Sequence, residues 1–483
     1  MNVFPPAPHK TPTPELLHAL KDAVGKKGWS DDPQDMAPHL VDERGLYHGK
    51  SPLLLRPANV DEVAVCVRLC AESRVPIVPQ GGNTGRVGGS VPFEHGGEIL
   101  FCLSRINRIY EVDTVNDTMT VGAGCILEAV QGAARNAGRY FPLSLGSQGS
   151  CQIGGNIATN AGGNAVLRYG HMRELVLGIE AVLPDGRIYD SLKSLRKDNT
   201  GYDLKQLLIG SEGTLGIITS GVLKLFSPPV ERHTVFAGIS TLQAALDFFS
   251  RARETLDDAV TAFELMPRIA LEFVCAHIPG TRDPLAAPHS FYVLCEATAT
   301  RRDPALAEAL HTLLGTALED GLVDNATMAA GETQAQALWK LRESVPEAQK
   351  HEGASIKHDI SVPIAAIPAF MDQATKRVIR LIPGVRVVAF GHVGDGNIHF
   401  NLSQPKNVRR EAFLSRWEEA SRVVHDTAVE MGGSISAEHG IGRLKRNELV
   451  RLADPLELEQ MRAIKRALDP NNIMNPGKLV LPN

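Results

Sequence analysis

An α+β fold is predicted, in two main domains with a C-terminal helical segment that returns to the first. Three observations predict it. Glycine-rich loops joined to short apolar strands dominate residues 1–227. After Phe226-Ser227-Pro228-Pro229 those loops stop, and helical patterns alternate with apolar strands over residues 228–431. From 432 to 483 glycine-bearing motifs return, Glu438-His439-Gly440 and Asn475-Pro476-Gly477 among them. The middle region reads as antiparallel strands with helices on one face, a common α+β layer arrangement.

The elements follow in order. Residues 14–28 carry Leu17, Leu20 and Val24 at helical spacing, and Ser51–Arg56 reads as a strand. Asn59-Val60-Asp61 opens a helix with apolar residues at 60, 63, 64 and 67. Ile99–Leu103 and Met119–Val121 are short strands, and Ile126–Asn136 is a helix ended by Gly138. Leu175–Leu183 and Ile188–Asp190 flank Pro184-Asp185-Gly186-Arg187, a hairpin with an Asp-Gly turn. Beyond 228, helices are expected at 241–256, 303–319, 364–380 and 409–431, and strands at 233–238, 260–265, 290–297 and 386–391.

Composition excludes several function classes. The 483 residues are 43% apolar and 22% charged, with a net charge of −5, as in an ordinary soluble globular protein. No basic cluster interleaves with aromatics, which argues against nucleic acid as a partner. No stretch approaches the ~20 apolar residues that span a bilayer. The N-terminus lacks a signal-peptide core and is not an arginine-rich transit peptide, so the cytoplasm is the expected location. Seven scattered cysteines without a framework suggest reduced thiols.

Pro142 to Gly170 is the stretch around which the chain is organised. It holds seven glycines, no charged side chain before Arg168, and apolar anchors from Leu143 to Leu167. Glycines among such anchors suit backbone packed closely against a ligand, and backbone N–H nests suit phosphate or diphosphate. Val78-Pro79-Gln80-Gly81-Gly82-Asn83-Thr84-Gly85 upstream and Gly210-Ser211-Glu212-Gly213-Thr214-Leu215-Gly216 downstream are two further loops of this kind. Gly122-Ala123-Gly124 invites a nicotinamide-type dinucleotide reading, but Leu127 stands where the third glycine belongs.

A second constellation carries the chemistry. In Phe390-Gly391-His392-Val393-Gly394-Asp395-Gly396-Asn397-Ile398-His399-Phe400-Asn401-Leu402, residues alternate strictly after the turn. Asn397, His399 and Asn401 share one face, and Ile398, Phe400 and Leu402 share the other. His392 can lie across the turn from His399, and two imidazoles so placed can meet one ion, as zinc requires. Ser436-Ala437-Glu438-His439-Gly440 offers a third ligand, and two histidines with a glutamate make a catalytic rather than a structural zinc pattern. Satisfied core histidines are the alternative.

The three glycine loops, in this order and spacing, resemble the flavin domain of the vanillyl-alcohol oxidase/p-cresol methylhydroxylase superfamily. GHVGDGNIHFN, SAEHGIGRLK and DPNNIMNPGKL resemble its D-2-hydroxyacid dehydrogenase branch, which includes D-lactate and D-2-hydroxyglutarate dehydrogenases and a glycolate oxidase subunit. The resemblance covers nearly the whole chain. It implies a two-part FAD-binding domain of p-cresol methylhydroxylase type and a ferredoxin-like substrate domain.

The same resemblance implies FAD contacts from Pro79, Gly81, Gly82, Asn83, Thr84, Gly85 and Ser90 in the first loop. It implies others from Pro142, Gly146, Ser147, Gly149, Gly154, Gly155, Thr159, Asn160, Gly163, Tyr169 and Gly170 in the second, and from Glu212, Gly213 and Ile218 in the third. Asn475 would approach the isoalloxazine. The flavin is expected to be non-covalent, because relatives that tether it through the first loop use a histidine where Asn83 stands.

His392, His399 and Glu438 would hold a divalent metal, zinc by preference, and His439 would be the general base. An imidazole, with an unperturbed pKa of about 6.5, suits that task. Arg342, Lys357, Asn401 and His439 would meet substrate. The implied reaction oxidises a D-2-hydroxy acid, D-2-hydroxyglutarate first and D-lactate second, to the 2-keto acid by hydride transfer to flavin N5. Pro346, four residues after Arg342, departs from a hydroxyl residue of some hydroxyglutarate-type members. The re-oxidant would be an electron-transfer flavoprotein or a quinone, and the oligomeric state, homodimer included, is left open. A zinc hydrolase leaves the glycine loops without a use, and a non-catalytic flavin-binding subunit leaves the ligands and the base without one.

Overall fold

The computed structural model describes residues 9–302 and 304–481, so Asp303, the expected first residue of the 303–319 helix, lies outside it. The chain divides into two compact units. One comprises the residues up to Gly163, Gly170–Pro228 and the residues from Glu438 onward; the other comprises Asn164–Tyr169 and Pro229–Ala437. No helix among the described residues is long and apolar enough to cross a membrane.

The first unit holds two sheets. β1 (Trp29–Ser30), β2 (Leu54–Leu55), β3 (Ile77–Gln80) and β4 (Ile99–Cys102) form the first, in the order β1-β2-β4-β3. β2, β4 and β3 run parallel. Leu55, Ile77, Ile99 and Phe101 pack on one face, and Leu54, Val78, Leu100 and Cys102 on the other. Parallel strands covered on both sides read as unbroken apolar runs, which is why β4 shows no alternation.

Helix Pro14–Val24 buries Leu16, Leu20 and Val24 against this sheet and is capped by the Thr13 hydroxyl. It stops four residues short of the expected 28. Gly25 takes φ +64°, and a Cβ at Gly28 would lie 2.3 Å from the Val24 carbonyl oxygen. Helix Val60–Ser73 starts where the sequence places it, with the Asn59 side chain accepting from Glu62 N–H.

The second sheet is antiparallel throughout. It contains β5 (Ile109–Asp113), β6 (Thr118–Gly122), β7 (Val176–Val182), β8 (Ile188–Ser191) and β9 (Ile217–Lys224), in the order β5-β6-β9-β7-β8. The C-terminal segment is joined to this unit by specific bonds. Lys465 Nζ donates to the Thr214 carbonyl at 2.7 Å, and Asn475 N–H donates to Ile77 O at 2.8 Å.

The second unit is built on one eight-stranded antiparallel sheet. Its strands are β10 (Glu231–Ile239), β11 (Val260–Pro267), β12 (Phe291–Ala299), β13 (Asn325–Met328), β14 (Ser355–Ile356), β15 (Asp359–Ser361), β16 (Arg386–His392) and β17 (Asn397–Ser403). The order is β13-β10-β12-β11-β16-β17-β14, with β15 also on β17.

Helices cover both faces of this sheet, not one. Val235, Phe263, Val293 and Phe400 pack with helices Leu242–Leu256, Pro304–Glu319, Ile367–Leu381 and Trp417–Glu430. Phe236, Met266, Leu294 and Phe390 face the other way, onto Arg268–His277, Glu332–Glu343 and Val345–His351. The strands that carry this double cover, such as FYVLCEATA, lack period-two alternation for that reason. The expected 409–431 helix is two pieces, Arg410–Leu414 and Trp417–Glu430, and Ser415 Oγ donates back to Ala412 O at the break.

Candidate active site

In the first unit the three glycine loops converge. A Cβ on Gly82 would lie 2.1 Å from Ser150 O, and one on Gly213 would lie 2.4 Å from the Pro79 ring. Gly81 sits 3.5 Å, by the same measure, from Gly155 N. The Gly82 and Gly213 contacts leave no room for a side chain, whereas the Gly81 distance is ordinary van der Waals contact.

The floor of the second loop is a short helix, Ile153–Ala158, whose Gly155 carbonyl accepts from Thr159 Oγ1 at 2.9 Å. Asn160 accepts from Arg173 N–H at 2.9 Å, and Ser147 O accepts from Ser150 N–H. Asn83, Asn160, Glu212 and Asn475 all hold positive φ, between 43° and 54°. Such strain persists where surroundings over-determine it, often at functional sites. Pro142 and Ile218 are buried and Thr84 is half-buried, whereas Gly85, Gly146 and Gly149 are exposed. Tyr169 falls in the Asn164–Tyr169 excursion of the second unit, while Gly170 belongs to the first.

Three buried acceptors here, Gln152 Oε1, Asn156 Oδ1 and Asn475 Oδ1, have no hydrogen-bond partner among the described residues. At Gly85, Gly146 and Gly155 a Cβ would meet nothing within 4 Å. Orphaned acceptors suit the hydroxyl and N–H donors of a cofactor such as FAD, and open glycine backbone suits its diphosphate. Asn83 is spent on the protein itself: Nδ2 donates to Val41 O and Pro38 O, and Oδ1 accepts from Ser90 Oγ at 2.9 Å.

The C-terminal motifs join the same unit. Asn475, 1% exposed, donates Nδ2 to Gly89 O and Glu212 O at 2.9 and 2.8 Å. Glu438 Oε1 accepts the Gly163 N–H at 3.0 Å, and a Cβ on Gly162 would lie 3.0 Å from that oxygen and from His171 Cδ2. The last glycines of the central stretch therefore cradle the Glu438 carboxylate. His439 follows it, half-buried.

The second unit holds the two other histidines on adjacent strands. His392 ends β16, and His399 lies opposite Phe390 on β17, with the imidazole centroids 5.5 Å apart. Ile398, Phe400 and Leu402 enter the core, as the alternation predicts. On the polar face, His392 Nδ1 lies 2.5 Å from Glu264 Oε1, and His399 Nδ1 lies 3.7 Å from Asp359 Oδ1. Asn397 donates to Asp359 Oδ1 and Ile360 O. Asn401 donates to Gln349 Oε1 at 2.8 Å, so its amide is part of a buried network that continues to Ser403.

Glu264 is the residue that sequence reading misses. It is 1% exposed and accepts from Arg342 Nε at 2.7 Å as well as facing His392. Burial alone would raise its carboxyl, but His392 and Arg342 outweigh that and hold it down at about 2. A charge inside the apolar run Phe263-Glu264-Leu265-Met266 was the available signal. Arg342, 6% exposed, stacks 4.7 Å over Phe390. Lys357 is half-buried at the break between β14 and β15. Ladder pairing lapses there because His358 Nδ1 occupies the Phe400 carbonyl at 2.7 Å.

Each histidine thus turns Nδ1 to a carboxylate, the arrangement that orients ligating imidazoles toward a metal through Nε2. The two imidazoles of the second unit, His392 and His399, are of a kind that suits a divalent ion. Glu438, first residue of the last segment of the first unit, follows Ala437, whose N–H donates to Asp359 O.

The fold is that of a two-unit flavoprotein. A solved p-cresol methylhydroxylase with bound substrate superposes with a TM-score of 0.76 at 15% identity, over 97% of this chain and 96% of that one. The chain belongs to the FAD-linked oxidase family: the family's C-terminal domain matches residues 228–479, and an FAD-binding domain matches residues 51–191. Among curated relatives, the mitochondrial D-2-hydroxyglutarate dehydrogenase of Bos taurus is 40% identical over 93% of this chain and 80% of its own. The D-2-hydroxyglutarate dehydrogenase of Xanthomonas citri pv. viticola is 37% identical over 96% of this chain and 97% of its own.

Proposed function

We propose that this enzyme oxidises D-2-hydroxyglutarate to 2-oxoglutarate. One observation carries the diacid preference beyond the relatives' names. Arg342 is buried, spends only Nε on Glu264, and its other guanidinium donors meet no protein acceptor among the described residues. A buried guanidinium with donors to spare suits a carboxylate, bound by charge-assisted paired hydrogen bonds.

When bound, FAD supplies the two-electron acceptor, and a divalent ion, zinc by preference, supplies a Lewis acid for the hydroxy-acid head. His392, His399 and Glu438 would hold the ion. His439 takes the C2 hydroxyl proton as general base. Arg342 and Lys357 bind the distal carboxylate and fix the chain's orientation. D-Lactate is the second reading, favoured by Pro346, which offers no hydroxyl to the substrate.

The test is kcat/KM for D-2-hydroxyglutarate, D-malate and D-lactate in wild type and Lys357→Ala. Lys357 is chosen because removing Arg342 would strand Glu264. The diacid is expected to lead in the wild type and to lose its lead in the variant. A wild type that prefers lactate, with Lys357→Ala treating mono- and diacids alike, overturns the assignment.

The flavin is held without a covalent bond, since the Asn83 amide has no nucleophile to offer. Acid precipitation should release all yellow colour to the supernatant; colour in the pellet would contradict this. The cytoplasm, or another reducing compartment, suits seven cysteines outside any disulfide, and burial pushes the thiols of Cys66 and Cys295 up to about 12. An electron-transfer flavoprotein or a quinone would re-oxidise the flavin.

A further inference from the structure

We infer that Glu212 is a positioning residue for the loop bearing Glu438 and His439, and not a flavin contact. This rests on the roles given to those two residues above. Each oxygen of the Glu212 carboxylate takes one backbone N–H of that loop: Oε1 accepts from Ile441 at 2.7 Å and Oε2 from Gly442 at 2.8 Å. Carboxylate-to-amide bonds of this kind are short and about twice as strong as neutral ones.

The loop is shaped to receive the carboxylate. Gly440 takes φ +80°, and a Cβ there would stand 2.7 Å from Glu212 Oε1. Gly442 takes φ +49°, and a Cβ there would stand 2.4 Å from Val87 O, which accepts from Arg443 N–H and Leu444 N–H at 2.9 and 3.1 Å.

Glu212 is itself immobilised. Its φ is +54°, its N–H donates to Ala158 O at 2.8 Å, and its carbonyl accepts the Asn475 amide at 2.8 Å. Upstream of His439, Gly163 N–H holds the Glu438 carboxylate. The backbone of His439 is thereby pinned on both sides, by the glycine stretch before it and by Glu212 after it. A misplacement of about 1 Å in such a group costs on the order of 10²-fold in rate.

Glu212→Gln in the full-length, flavin-loaded enzyme tests this. The amide offers one acceptor and sets an NH₂ against the second N–H. Amide hydrogen exchange across 438–444 should rise at least about tenfold, with flavin content and visible spectrum unchanged. For D-2-hydroxyglutarate, kcat should fall about 10²-fold with KM little altered. Should Glu212→Gln fail to fold, Gly440→Ala crowds the same contact from the loop side and should give the same pattern. Loss of flavin with unchanged exchange would make Glu212 a cofactor ligand and overturn the inference, as would unchanged exchange with full kcat. A wild type inert toward every D-2-hydroxy acid would sink the functional reading, while the exchange experiment would still decide the role of Glu212.

Discussion

His439→Ala is expected to lower kcat about 10²–10⁴-fold, the range that a positioned general base contributes. The enzyme should keep its flavin and bound metal, because neither the glycine loops proposed to hold the flavin nor the three proposed ligands include His439. KM should move little, since the carboxylate-binding role proposed for Arg342 and Lys357 is independent of the proton transfer. Single-turnover flavin reduction followed at the visible band isolates the step. Reduction at the wild-type rate would remove His439 from the mechanism.

Replacing Glu264 by Leu should destabilise the protein by about 3–5 kcal/mol, because it strands buried charge without compensation. Arg342 and His392 both depend on this carboxylate, which is 1% exposed. Pairing Glu264→Leu with Arg342→Met should recover much of the loss, and a double-mutant cycle by urea unfolding measures the coupling. The isosteric Glu264→Gln should fold, yet bind zinc about 10–100-fold more weakly, as outer carboxylates on ligating histidines do. Equal zinc affinity in wild type and Glu264→Gln, measured by competition with a chelating dye, would refute the orienting role.

Much of the site was readable from local pattern. Period-two alternation sorted Asn397, His399 and Asn401 from Ile398, Phe400 and Leu402, because one face of β17 enters an apolar core and the other meets polar partners such as Asp359 and Gln349. Glycine density marked the three loops, because at positions such as Gly82 and Gly163 packed backbone leaves no room for Cβ. The Asn59 cap and the Asp185-Gly186 turn were legible for the same kind of reason, their geometry being set within a few residues.

The rest was decided by partners distant in sequence. Glu264 looks like an ordinary charge until His392, 128 residues later, and Arg342 meet it. Glu212 reads as part of a glycine loop, and only the fold brings it to Ile441 and Gly442, more than 200 residues on. The double helix cover of the large sheet was equally hidden, since an apolar run in one strand does not say how many layers lie over it. What the sequence by itself determined is the local geometry: caps, turns, strand faces and the glycine positions where side chains are forbidden. The tertiary structure alone decided which buried charges compensate one another, because that depends on which strands become neighbours. Sheet order is a property of the whole chain's packing.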